Sequence, residues 1–337
     1  KMHELGISCM NAPEKYNGMK FGNVGLCMVV EEICKGCLGI AITPLANMLA
    51  SEPVLYAGTE EQMEWWFPGI CEGGQLASYA VTEPGAGSDV AGISTTAKKD
   101  GDYYILNGTK CFITNARYAD KYTILATHDR SKGNRAQSFF MVDRNTPGIT
   151  VGKVEDKLGI RTSNTTEVIF EDVRVPAKNL IGKEGQGFYI IMKTLDISRA
   201  SIAAMATGVA QRCLDESLAY SKLRTQFGKP ISSFQAIQFK LADMAMRIQA
   251  SRLLYYEASS LQDMDVPRFS KSASLAKAFA GDTAMFCAIE AIQVFGGYGY
   301  TREYPVEKLM RDAKIFQIYE GTAEVQRIVI ANDLLRG

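Results

Sequence analysis

Between about residue 77 and residue 183 the chain holds a run of short β-patterned segments with no helical periodicity separating them. "DYYILNG", "TKCFIT", "YTILAT", "SFFMVD", "GITVGKV" and "TEVIFEDVRV" are rich in β-branched and aromatic residues. Asp100-Gly101 and Asn107-Gly108 are turn dipeptides of the two-residue hairpin kind. Parallel strands need long crossover connections, usually helical, and this stretch has no room for them. It therefore predicts a small antiparallel barrel or sandwich, and argues against a doubly wound sheet.

Helical patterns flank it on both sides. In residues 1–76, "MVVEEICKGCLGIAITPLANMLA" is long, apolar and glycine-interrupted, and "TEEQMEWWFPGICEGG" reads as a short amphipathic helix capped by Thr59. The opening "KMHELGI" reads as the middle of a helix, so an upstream segment is expected. After "GKEGQG", Ile191, Leu195, Ile202, Met205, Val209 and Cys213 form one apolar stripe. Phe234, Ile237, Leu241, Met244 and Ile248 form a second. "SASLAKAFAGDTAMFCAIEAI" adds a third helix, and Thr322 is placed to cap a fourth, with Glu324 in its first turn. Long helices with short links predict a bundle. The expected domains are 1–76 (helical), 77–183 (β) and 184–337 (helical bundle).

Composition narrows the chemistry. Lys plus Arg and Asp plus Glu are 37 each, which removes the global electrostatic case for nucleic acid or an anionic membrane. No apolar run approaches the roughly 18 residues of a membrane span, so none is expected. Only His3 and His128 are present, neither in a motif, so a Ser-His-Asp triad or histidine-rich metal centre is not expected. Acid–base work then falls to carboxylates, Lys or Tyr. The eight cysteines are scattered, as for reduced and mostly buried thiols of an intracellular protein. Cys34 and Cys37 form the one CxxC, too little for a metal site.

Four stretches could carry function. In "IYEGTAEVQR" (318–327), Glu320 stands where apolar packing gives way to a glycine. It is either a helix-start carboxylate or a base aimed into a pocket. "YAVTEPGAGSDVAG" (79–92) fits neither GxGxxG nor a P-loop, which leaves a surface loop or a turn whose glycines let amides approach a ligand. "QVFGGYGYTREYP" (293–305) reads as a helix C-cap and turn, and "SKLRTQFGKPI" (221–231) as charge near a helix end.

In this order and spacing, "TEPGAGSDVAG", "RTQFGKPI" with "FQAI", "FGGYGYTREYPVEKLMRDAKI" and "IYEGT" resemble the acyl-CoA dehydrogenases, most closely the short- and medium-chain type. The resemblance spans nearly the whole chain. It implies a helical N-terminal domain (here short of about one or two helices), a middle antiparallel β-barrel and a C-terminal four-helix bundle. It also implies FAD, a homotetramer built as a dimer of dimers, and electron-transferring flavoprotein as partner.

By that resemblance, Glu320 abstracts the α-proton of an acyl-CoA while the β-hydrogen leaves as hydride to flavin N5. The Glu320 N–H and a ribityl hydroxyl would hold the thioester oxygen, and Gly321 would leave room for the acyl chain. Some members carry the base on the first C-terminal helix, where this chain has Ser198. Asp196, Arg199 and Ser88 are assigned to the substrate. Tyr79, Val81, Thr82, Gly87, Ser88, Phe112 and Thr114 are assigned to FAD. Arg224, Gln226, Phe227, Gln235, Gln293, Gly296 and Gly297 are assigned to the FAD of a neighbouring subunit, with Thr322 and Glu324 completing the site. The apolar "GIAITPLANML" is assigned to the acyl tail, and short to medium straight chains are expected. Competing readings are an enoyl-CoA reductase, an acyl-CoA oxidase and an inactive acyl-CoA-binding relative. The bacterial cytoplasm and the mitochondrial matrix are the two compartments expected.

Overall fold

The structure is a computed structural model describing residues 1–267 and 269–336. The chain divides into two compact units: residues 1–21, 42–156 and 162–195 form one, and residues 22–41, 157–161 and 196–337 the other.

In the first unit, helix α2 (Glu60–Cys71) starts where the sequence says it should. Thr59 Oγ1 accepts from Gln62 N–H at 3.3 Å, and the Gln62 side chain returns a bond to Thr59 N–H, closing a capping box. The opening residues do not form the expected helix. Residues 2–6 are turns and Ile7–Cys9 a single 3₁₀ turn, because Gly6 takes a left-handed φ of 74°, which terminates helical geometry.

The strands are β1 (Ala77–Ala80), β2 (Thr96–Asp100), β3 (Tyr103–Thr114), β4 (Lys121–Thr127), β5 (Gln137–Asp143), β6 (Ile149–Val154), β7 (Thr165–Pro176) and β8 (Leu180–Ile181). They pair in the order β6-β7-β3-β2-β4-β5-β8, with β1 on β4. Most pairs are antiparallel, but β1 runs parallel to β4, and β2 meets β4 in parallel at one position. The expected β2–β3 turn forms, but its two central residues are Gly101 and Asp102, since Asp100 is still in β2 and pairs with Tyr103. Asn107-Gly108 does not turn the chain. It sits inside β3 at a bulge, where Gly108 is needed because a Cβ would lie 2.5 Å from Thr95 Oγ1. One face packs Leu106, Ile124, Phe140 and Val168, and the other joins Leu125, Phe139 and Met141 to Trp66 and Phe67 of α2.

The second unit is helical. Helix α1 (Asn23–Ala57) breaks at Cys37, whose backbone is extended, and its residues 23–41 belong here. So do residues 196–223 of α3 (Gly187–Leu223). The rest comprises the β9–β10 hairpin (Thr225–Gln226 and Lys229–Pro230), α4 (Gln235–Asp263), α5 (Ser270–Phe295), α6 (Val306–Ala313) and α7 (Ala323–Leu335). The α3 stripe is buried from Ile202 through Cys213. On α4, Met244 and Ile248 are buried, whereas Phe234, Ile237 and Leu241 are only half-buried, and Phe239 and Met246 on the same segment are exposed. By length and composition alone the segment Ser270–Tyr300, which contains α5, could cross a membrane. Ala273, Ala276, Ala280, Ala284, Ala288 and Ala291 are fully buried on it, as on a core helix. All eight cysteines are free, six of them buried.

Candidate active site

In the second unit, Glu320 lies on the link between α6 and α7. After α6 a 3₁₀ turn (Lys314–Gln317) carries the chain to Tyr319, whose N–H donates to Ile315 O at 3.1 Å. Glu320 then takes a left-handed φ of 56° and Gly321 one of 84°. That conformation costs a residue with a Cβ roughly 1–2 kcal/mol. At position 321 a Cβ would also lie 2.5 Å from Gln326 Nε2, so glycine is required there. Thr322 caps α7 as expected, its Oγ1 accepting from Val325 N–H at 3.2 Å.

The strained pair is tied down from two helices. Lys277 of α5, 1% exposed, donates to Tyr319 O at 2.8 Å and to Gly321 O. Gln326 of α7 donates to Glu320 O at 3.1 Å and Gly321 O at 3.0 Å. The backbone at Glu320 is thereby held, and its side-chain Oε2 accepts from Ser198 Oγ at 2.8 Å. Burial raises the Glu320 pKa above the ordinary carboxylate value, against the opposing pull of the Ser198 hydroxyl and the Lys277 and Arg199 charges. Burial lowers the Lys277 pKa to about 8, opposed first by the charge of Glu320. The carboxylate at the turn is thus a held, partly dried base of raised pKa, not a solvated helix start.

Arg199 is 4% exposed and forms an ion pair with Asp196, Nη1 to Oδ1 at 2.6 Å, and also donates to Ser274 Oγ at 3.2 Å. Asp196 Oδ1 accepts a second bond from Ser270 Oγ at 2.7 Å. Arg199 Nε is buried with no acceptor among the described residues. Thr322 and Glu324 line a recess of about 390 Å³ with Asp282, Lys314 and Arg327.

The residues assigned to the FAD of a neighbouring subunit lie apart from this cluster, on the surface of the same unit. Arg224, Gln226, Phe227, Gln235, Gln293, Gly296 and Gly297 are all exposed. Phe227 and Gly228 form the two-residue turn between β9 and β10, both with positive φ (51° and 75°), a geometry that normally selects Asn-Gly. Arg224 lies over the Tyr298 ring at 5.4 Å, which brings the hairpin beside the glycine-rich end of α5.

In the first unit, Cys111 N–H donates to Thr82 O at 2.9 Å, setting Phe112 beside the glycine-rich loop. Phe112 has φ 57° at a β3 bulge and its ring is 64% exposed. Tyr79 is half-buried and stacked on Phe139, Val81 is buried, and Thr82 and Thr114 are half-buried. Gly87 and Ser88 are exposed, and a Cβ at Gly85 or Gly87 would meet nothing within 4 Å. Beneath the loop, Glu83 and Lys110 form a buried ion pair at 2.8 Å. Burial pushes Glu83 up, but Lys110 together with bonds from Ser94 and Thr95 holds it at about 2. The loop's one buried anion is therefore neutralised, and its outer face presents amides, the Thr82 and Ser88 hydroxyls, the Phe112 ring and the exposed Asp89 carboxylate.

Sequence models of the acyl-CoA dehydrogenase N-terminal, middle and C-terminal domains match residues 1–74, 78–173 and 185–335. The chain belongs to the acyl-CoA dehydrogenase family. It is 45% identical to the mitochondrial short-chain specific acyl-CoA dehydrogenase of Bos taurus, over all of this chain and 82% of the relative. The solved butyryl-CoA dehydrogenase of Megasphaera elsdenii matches with a TM-score of 0.96 and 47% identity, over 99% of this chain and 88% of that one. A chain from structural work on the electron transferring flavoprotein of Acidaminococcus fermentans matches with a TM-score of 0.97 and 47% identity, over 100% of this chain and 88% of that one. As an acyl-CoA dehydrogenase the protein is a FAD-dependent oxidoreductase of the CH–CH class. The open glycine loop, its two hydroxyls and the exposed Phe112 ring have the donor chemistry that a dinucleotide flavin needs.

Reading the sequence missed Lys277, Gln326, Ser270 and Ser274. Lys277 did leave a signal, being a lysine in the otherwise small and apolar run "SLAKAFAG".

Proposed function

We propose that this acyl-CoA dehydrogenase oxidises a short straight-chain acyl-CoA to the trans-2-enoyl-CoA, with Glu320 as the base. The observation that carries this is the Glu320 carboxylate, raised in pKa by burial and locked in a left-handed turn by partners on α5 and α7. An α-proton next to a thioester is weakly acidic, so a carboxylate of ordinary pKa is a poor match for it. Glu320 narrows the gap from one side. From the other, its own backbone N–H donates to the thioester oxygen, lowering the acidity barrier as negative charge develops. Ser198 steadies the carboxylate before the proton moves, and the Arg199–Asp196 pair shapes the channel beside it.

Bound FAD supplies the acceptor for the β-hydrogen. Tyr79, Val81, Thr82, Gly87, Ser88, Phe112 and Thr114 would hold it, and Ser88 would also meet the substrate's pantetheine arm. Arg224, Gln226, Phe227, Gln235, Gln293, Gly296 and Gly297 would reach a neighbouring subunit's FAD in a tetramer. Electrons would pass to an electron-transferring flavoprotein, a reading supported by the similar chain from work on that protein in Acidaminococcus fermentans.

Anaerobic addition of butyryl-, octanoyl- or phenylpropionyl-CoA to the yellow enzyme tests this. Butyryl-CoA is expected to bleach the oxidised flavin band fastest. Fastest bleaching by octanoyl-CoA would correct the chain length, and no bleaching by any thioester would overturn the reading.

A further inference from the structure

Lys277 has no part in proton abstraction as derived above, yet it is among the largest fully buried side chains. A buried ammonium is costly unless its protons find acceptors. Here they find two backbone carbonyls, Tyr319 O and Gly321 O, on either side of Glu320. Every peptide in the described chain is trans. The Tyr319 carbonyl and the Glu320 N–H are opposite ends of one planar unit, pointing in opposite directions. A cation on the carbonyl end therefore fixes where the N–H points. It also draws electron density along the amide, making that N–H a stronger donor.

We infer that Lys277 is a positioning residue that aims and polarises the Tyr319–Glu320 peptide, so that the Glu320 N–H holds the thioester oxygen of the substrate. The inference rests on the dehydrogenation reading above. Its second hold, on Gly321 O, keeps the following left-handed residue in place, and Gln326 duplicates that hold without bringing charge. This separates the two partners. Gln326 contributes geometry, while Lys277 contributes geometry and a field.

The charged groups acting on Lys277 are Glu320, Arg199 from α3, Asp282 on its own helix and Glu324 from α7. Removing its charge takes away a cation that lowers the Glu320 pKa. The pH at which flavin reduction reaches half its limiting rate should therefore rise in a neutral variant.

The test uses FAD-loaded Lys277→Met and Lys277→Gln enzymes with butyryl-CoA labelled with ¹³C at the carbonyl. Its readouts are the infrared carbonyl band of the bound thioester and the anaerobic rate of flavin reduction. A donor to a developing oxyanion is worth about 10²–10³-fold, and a group acting through that donor less. Lys277→Met is expected to reduce flavin about 30-fold more slowly, with the band shifted back toward its free-solution frequency and the pH midpoint raised. Lys277→Gln, which keeps a neutral donor, should fall between it and wild type.

Wild-type enzyme gives the same answer without a variant. Its band should move toward the free frequency as pH rises, at a lower pH than an ordinary lysine would give, because burial lowers the Lys277 pKa. A Lys277→Met band at the wild-type position overturns the inference and leaves the dehydrogenase reading standing. Wild-type enzyme that butyryl-CoA does not bleach overturns both.

Discussion

Two segments of this chain are tied from beneath by a buried lysine, and one is not. Lys110 holds Val81 O and Glu83 under the glycine-rich loop, and Lys277 holds Tyr319 O and Gly321 O around the base. The β9–β10 hairpin also carries backbone strain, at Phe227, but that residue is 92% exposed and, among the described residues, its one ring contact is a perpendicular one with Phe234 at 6.0 Å. Gln226 beside it donates to the carbonyl of its own neighbour, Thr225. Strain held by internal partners is preorganisation for chemistry in one chain. At Phe227 the backbone is strained while the ring stays exposed, with no buried partner among the described residues. That is the pattern expected if FAD is shared between subunits.

Removing the inner tie should have the larger effect. Lys110→Met leaves the Glu83 carboxylate buried without its cation, and breaking such a pair costs about 3–5 kcal/mol. Chemical denaturation at neutral pH measures that loss. The sign with pH follows from Glu83, which is held at about 2 in the folded chain against 4.5 ordinarily. Its stabilising contribution is full above the ordinary value and fades as pH falls from 4.5 toward 2. Wild type should show this acid limb, and Lys110→Met should lose most of it. An unchanged limb would mean that the pair under the loop contributes little.

Relaxing the outer segment should do less, and in the opposite direction. Phe227→Gly places glycine where φ is 51°, and is expected to add about 1 kcal/mol of stability. The same change is expected to loosen FAD, measured as flavin released on dilution. A variant that is both more stable and as tight for FAD would sever the hairpin from the cofactor and break the comparison.

How much was legible in the sequence depended on whether the signal was local. Thr59 and Thr322 announce caps because the bond spans only three residues. The YEGT motif marked Glu320, and Gly321 beside it is explained by a φ that only glycine holds without strain. Asn107-Gly108 misled because the same dipeptide serves a hairpin turn or a bulge, and Thr95, across the sheet, decides between them. "KMHELGI" misled because helical composition cannot override the left-handed turn at Gly6. Lys277 lies 43 residues before the carboxylate whose peptide it holds, so nothing near either residue reports the pairing. The half-exposed α4 stripe gave the right periodicity, but periodicity does not say whether the covering surface comes from the same chain.

The most direct test of Glu320 as base is exchange of the α-proton itself. A non-oxidisable acyl-CoA analogue is incubated in deuterium oxide with FAD-loaded wild type or Glu320→Gln, and deuterium at the α-carbon is followed by mass spectrometry. Wild type should exchange that proton, and Glu320→Gln should fall by about 10³-fold while keeping its yellow colour. Exchange at the wild-type rate in Glu320→Gln would place the base elsewhere and contradict the account.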